Sequence, residues 1–166
     1  MTDRPDVLRI VDVDVDQIAQ LLAVYGLELE CVPDGEAIEG TFWGEPEAGV
    51  VGRRVVVRLD TPVHSLLHEA CHVICMHPGR RATLFADAGG DDLEETAVCY
   101  LQVVLADRLP GVGGSRLMRD MDRWGYSFRL GSTDRWFTED AEDARSWLLG
   151  HGLIDTDDQP TYQLRQ

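Results

Sequence analysis

The sequence predicts an α+β fold in a single domain, a small and mostly antiparallel sheet followed by helices. Short segments with strand-like alternation (27–32, 37–43, 50–51 and 54–59) fill the first third of the chain. Two longer runs, 63–76 and 93–107, hold neither glycine nor proline and have helical length. The 166 residues are enough for one core, and no repeat, low-complexity stretch or linker divides them. The domain is expected to span 1–166 with its core at about 16–150.

Taken in order, residues 1–6 are polar and expected to be loose. Val11-Asp12-Val13-Asp14-Val15 alternates apolar and acidic, an extended pattern. Asp16 is placed to cap a short helix through Ile18, Leu21, Leu22 and Tyr25, stopped by Gly26. Strand 27–32 ends at the turn signal Pro33-Asp34-Gly35. A second strand covers 37–43, a loop covers 44–49, and a bent pair of strands turns at Gly52. Thr61 as N-cap and Pro62 at the first position open the next helix. Asp91 or Asp92 opens the helix at 93, and Pro110-Gly111 closes it. A short helix through Leu117, Met118 and Met121 follows, then an aromatic irregular stretch at 124–128. Thr138 caps a last helix with an acidic first turn, and the tail from residue 155 is polar.

The helix from Val63 carries His68-Glu69-Ala70-Cys71-His72, which reads H-E-x-x-H. Positions i and i+4 lie one turn apart on one helical face. Two imidazoles so placed can hold one zinc ion, and the adjoining Glu69 can act on a metal-bound water. The flanking residues are apolar, so the helix should be buried and its polar residues need partners. A core helix whose histidines bond backbone groups is the plainer alternative.

A catalytic zinc has three protein ligands and one open position. About twenty residues on, Asp91-Asp92-Leu93-Glu94-Glu95 opens the next long helix. Helical steps from Glu94 reach Ala97, Val98, Leu101, Val104 and Leu105, an apolar stripe. Steps from Glu95 reach Val98, Cys99, Gln102 and Ala106, a mixed one. Glu94 is therefore the expected ligand beside His68 and His72, with Glu95 second. A capping box from Asp91 to Glu94 is the competing reading.

H-E-x-x-H followed by Glu94-Glu95-Thr96-Ala97, an E-x-x-A, resembles the gluzincin branch of the zincin metallopeptidases. The order of strands, motif helix and glutamate helix is similar to small bacterial zincins of the ImmA/IrrE and SprT-like kinds, over roughly 27–105. Val98 departs from the Asp or Asn that many relatives carry there. The resemblance implies a zincin-like fold, with the sheet packed on the H-E-x-x-H helix and on a glutamate-bearing second helix. It also implies a zinc-dependent peptidase with Glu69 as general base, acting on a peptide or protein. A zincin-fold regulatory or interaction module that keeps zinc without cleaving is the alternative. Tyr126, Tyr100 and His64 are candidate transition-state donors. Asp87, Asp91 and Asp92 are candidate acceptors behind the ligand histidines, and 37–43 is a candidate edge for an extended substrate.

Other metal chemistries fit less well. Cys75 and Pro78 stand where a metzincin carries glycine and histidine. The surroundings of Cys31 are unlike those of the cysteine ligand of peptide deformylases. A structural site from Cys75, Cys99 and a histidine would leave Glu69 without a role. The formal net charge of -15 argues against nucleic acid and anionic membranes as partners. No signal peptide is visible, and no apolar run reaches the roughly 20 residues that cross a bilayer. A cytoplasmic protein with reduced cysteines is expected.

Overall fold

In the computed structural model, which describes residues 5–166, the H-E-x-x-H helix α2 (Val63–Cys75) lies at the centre. The expected loose start, 1–6, falls mostly outside the described residues. Every residue of α2 is buried, His64, Ser65, His68, Glu69 and His72 included. A surface helix buries only one stripe. Full enclosure forces each polar side chain of α2 to find its partner inside the protein or in a cleft.

Three strands form a mixed sheet of order β1-β3-β2: β1 (Glu28–Cys31), β2 (Gly49–Val51) and β3 (Arg54–Val57). β2 and β3 are an antiparallel hairpin with Val50 opposite Val55, turning where Gly52 takes a φ of +60°. β1 pairs with β3 in parallel, Leu29 opposite Val55. This corrects the mostly antiparallel expectation. The cause lies in 32–48, which forms no strand at 37–43. Gly40 has a φ of +76° and its carbonyl accepts from the Val50 N–H at 3.1 Å. A Cβ on Gly40 would stand 2.5 Å from the Val50 carbonyl oxygen. The bend there sends the chain back across the sheet, so β3 enters alongside β1. Val55, Val56 and Val57 are buried, as suits a central strand.

Among the described residues there are seven α-helices. They are α1 (Val15–Val24), α2, α3 (Pro78–Arg81), α4 (Asp92–Ala106), α5 (Gly114–Trp124), α6 (Thr133–Glu139) and α7 (Glu142–Gly150). Of these, α1 packs on β1, and α2 on β2 and β3. Residues 11–15 form no strand: Ile10–Asp12 is a 3-10 turn, only Val13 and Asp14 are extended, and Asp14, not Asp16, caps α1 by accepting from the Asp16 N–H at 3.0 Å. Pro62 occupies the N-cap position of α2, while Thr61 Oγ1 accepts from the Arg58 N–H. Ser132 caps α6, and Thr138 lies inside it with its hydroxyl donating to the Asp134 carbonyl. The expected last helix therefore starts later than Thr138, as α7 with Ala141 at its N-cap position, and α6 precedes it.

α4 runs beside both α2 and α7 and is buried from Ala97 to Ala106. The core also extends past 16–150, since Val7, Ile10, Leu153 and Ile154 are buried. The tail returns to α2: the Arg165 N–H donates to the Ile74 carbonyl at 2.9 Å. Among the described residues no helix is long and apolar enough to cross a membrane.

Candidate metal centre

His68 and His72 stand one turn apart on α2 with their ring centroids 4.7 Å apart, as the four-residue spacing dictates. Their Nε2 atoms lie 3.1 Å from each other. Opposite them stands Glu95 of α4, with Oε1 3.0 Å from His68 Nε2 and Oε2 3.0 Å from His72 Nε2. Among the described residues these three form the one His, Cys, Asp and Glu group able to hold a metal ion, all ligand atoms lying within 4.8 Å of one another.

Glu94, the expected ligand, is elsewhere. Its carboxylate accepts from Arg80 Nη2 at 2.8 and 2.7 Å and from Arg165 Nη1 at 2.9 Å. Glu94 does face the core, as its apolar stripe predicts. At this turn of α4, however, the core side holds two guanidinium groups and not the imidazoles. The capping half of the competing reading is present, since Asp91 Oδ1 accepts from the Glu94 N–H at 2.8 Å.

The partner behind the histidines is also not an aspartate. Asp87 accepts from the Gly89 N–H, Asp91 caps α4 and Asp92 is exposed. Instead Gln102 meets His68, Oε1 to Nδ1 at 2.7 Å, while its Nε2 donates to the His64 carbonyl at 3.2 Å. Gln102 interrupts an apolar helical run seven residues after Glu95, on the same face. That polar pair was the signal in the sequence for both residues.

This amide decides the chemistry of His68. With its NH₂ committed to His64, Gln102 offers only its oxygen, so His68 carries its proton on Nδ1. Neutral His68 then aims a bare Nε2 lone pair at a carboxylate oxygen and at a second imidazole nitrogen. The bare His68 Nε2 and the Glu95 oxygen, both acceptors, repel at 3.0 Å unless a proton or a metal ion lies between them. His72 Nδ1 is buried without a hydrogen-bond partner. The charge balance agrees. Burial acts to lower the His68 pKa, but Tyr126, Cys99 and Glu95 outweigh it and hold it well above the usual value. Burial likewise disfavours the Glu95 carboxylate, yet its bonds to His68 and His72 hold its pKa well below the carboxylate range. Two imidazoles, one carboxylate and an open side form a donor set that fits a catalytic zinc.

The open side is a cleft of about 500 Å³ whose lining includes His68, Glu69 and Glu95. Loop residues Trp43–Glu47 form one wall, and Trp124, Gly125 and Tyr126 form another. Glu69 is 7% exposed; burial first, then Glu47 and Glu95, push its pKa up, against the pull of the two histidines. Of the candidate donors, Tyr126 lines the cleft with its ring 5.8 Å from that of His68. His64 is buried behind it, Nδ1 3.4 Å from the Tyr126 hydroxyl, and burial, with His68 and Arg9, presses its pKa down to about 3. Tyr100 stacks on Phe137 and does not line the cleft. The four cysteines are free, and Cys31 alone is exposed.

No protein-family model, no curated protein and no solved structure matches the chain.

Proposed function

We propose that this chain is a zinc-dependent metallopeptidase of zincin-like, gluzincin-like type, in which His68, His72 and Glu95 hold the metal and Glu69 is the general base. The observation that carries this reading is the convergence of two Nε2 atoms and one carboxylate at a cleft lined by His68, Glu95 and a second, independent carboxyl, Glu69. A bound zinc would supply Lewis acidity and a water of lowered pKa.

The residues then divide the work. Gln102 fixes the His68 tautomer so that Nε2 faces Glu95 and His72. Glu69, next to His68 in sequence, takes a proton from the water as its oxygen adds to the peptide carbonyl. It returns that proton to the departing amine as the C–N bond breaks. Tyr126, which lines the cleft, would be the donor to the oxygen that gains charge. The fully enclosed α2 holds His68, Glu69 and His72 on one rigid element. The cytoplasmic setting read from the sequence belongs to the same proposal, with Cys71, Cys75 and Cys99 as buried thiols.

The test pairs metal content by mass spectrometry with peptide-library cleavage, for wild type and Glu69→Gln. Stoichiometric zinc in both, with cleavage reduced about 10²–10⁴-fold in Glu69→Gln, is the expected result. Wild type that takes up no zinc, even when zinc is supplied, sinks the reading. Zinc without cleavage of any peptide leaves the zinc-binding regulatory module in its place.

A further inference from the structure

The two walls of the cleft share a chemical character that the hydrolytic step does not use. Trp43 is 72% exposed and meets Phe42, 54% exposed, edge to face at 5.0 Å. Trp43 is the most exposed large apolar side chain among the described residues. Water-facing aromatics grouped at the mouth of a cleft mark a contact surface.

The loop that carries them is anchored. The Ala48 N–H donates to Ser65 Oγ of α2 at 2.9 Å, the Gly44 N–H to Thr41 Oγ1 at 3.1 Å, and the Ile38 N–H to Glu45 Oε1 at 2.9 Å. A fixed base with exposed rings costs little ordering entropy on binding.

The charge on the same wall is negative. Glu45 and Glu47 join Glu69 and Glu95 in the lining, and among the described residues no arginine lines the cleft. Glu47 is held by a neutral donor, Trp124 Nε1–H at 2.7 Å, which orients the carboxylate without cancelling its charge. Glu45 lies 3.2 Å from Arg58, but that guanidinium is already engaged by Asp60 at 2.7 and 3.0 Å. Arg9 sits over the Trp124 ring and does not line the cleft. A divalent metal ion would offset two of these four charges, those of Glu95 and Glu69, and leave those of Glu45 and Glu47 in place.

Backbone pairing is closed on this side. The edge strand β2, which follows directly from the loop, already accepts and donates along its outer side: the Val50 N–H to Gly40, the Ala86 N–H to the Val50 carbonyl, and the neighbouring Gly52 N–H to the Leu84 carbonyl. Residues 37–43, expected to offer an edge, are not a strand. Recognition therefore falls to side chains.

We infer that this cleft selects basic extended polypeptide segments in which an arginine or lysine adjoins a large apolar residue, the cation meeting Glu47 and Glu45 and the apolar side chain packing on Trp43 and Trp124. The inference rests on the reading of the cleft as a peptide-binding active site. Arginine suits such a wall doubly, because it pairs with carboxylates and stacks on indole rings.

The experiment is fluorescence anisotropy with the purified full chain and two labelled hexapeptides, one with Phe-Arg at its centre and one with Phe-Glu, at two salt concentrations. Cleavage of both is followed in parallel. The Phe-Arg peptide is expected to bind about tenfold tighter at low salt, with the advantage shrinking as salt rises. Trp43→Ala, at an exposed site, is expected to weaken binding of both peptides. Glu47→Gln keeps an acceptor for Trp124 and is expected to erase most of the arginine preference. Equal binding of the two peptides, no binding of either, or a preference unchanged in Glu47→Gln overturns the inference. Library cleavage without that preference would sink this inference and keep the peptidase. Selective binding without cleavage would sink the peptidase and keep the selectivity.

Discussion

At the first turn of α4, Glu94 turns inward, where Arg80 and Arg165 hold its two oxygens. Glu95, about 100° further round the helix, turns to the two imidazoles. The Glu94 side chain is 6% exposed and that of Glu95 is 49% exposed. The more buried carboxylate is the one already neutralised by the chain's own cations. The more open one has only the histidines and the cleft. Burial alone does not mark a metal ligand; a carboxylate is available to a metal when no guanidinium has claimed it.

The sharpest way to break this contrast is to remove each carboxylate in turn. Glu95→Ala is expected to weaken zinc affinity by more than the roughly 10–100-fold that loss of an outer partner costs, whereas Glu94→Ala keeps stoichiometric zinc. Mass spectrometry of the two proteins reads this directly, and zinc lost with Glu94 alone would reverse the assignment.

Stability should respond the other way. Glu94→Gln strands two arginines against the ends of α2 and α4. With Arg80 about a third exposed, the cost is about 2–3 kcal/mol, below the range for fully buried pairs. Thermal unfolding of the metal-free protein checks it, and the same metal-free measurement on Glu95→Ala should move much less. Equal losses would erase the distinction between a structural and a ligand glutamate.

Gln102→Ala tests the layer behind the ligands. Zinc affinity is expected to fall about 10–100-fold, because the His68 tautomer is no longer fixed. An unchanged affinity would mean that the amide fills space and does not orient the ring.

The smallest effect is in pH. In metal-free protein the raised His68 pKa lends stability that is complete below the unfolded value of about 6.5 and lost as pH rises through the folded value. The depressed Glu95 pKa lends stability that is present above its unfolded value, about 4.3, and lost as pH falls through the folded one. Both describe one half-exposed contact, of about 1 kcal/mol or less. Zinc-loaded protein should show the opposite slope above neutrality, because protons compete with the metal for the imidazoles. Denaturant titrations with and without zinc report the two slopes, and slopes of the same sign would argue against a shared proton and metal site.

Much of this was legible in the chain. The apolar run around His68 and His72 predicts a buried helix, and the four-residue spacing alone places the two rings together. Asp91 is a cap in both sequence and structure. Strand 27–32 and the hairpin at Gly52 are read correctly from alternation and a glycine. The strand assigned to 37–43 fails because its apolar and polar alternation is broken by Gly40, whose positive φ serves a bend. Tyr126 was one of three candidate donors, and only packing separates it from Tyr100, which is turned against Phe137.

The chain alone dictates what acts locally: the long runs that become α2 and α4, the Asp91 cap, the face shared by His68 and His72, and the face shared by Glu95 and Gln102. These follow from backbone geometry over a few residues and need no distant partner. Which glutamate meets the imidazoles is set by packing, because it depends on what stands across from α4. Arg165, 71 residues from Glu94 in the chain, reaches it through a tail whose composition gives no sign of docking. The parallel entry of β3 beside β1 and the closing of the β2 edge by residues 84–86 were settled the same way. Periodicity fixes a direction around a helix axis or across a strand, whereas the group found in that direction is supplied by packing between distant parts of the chain.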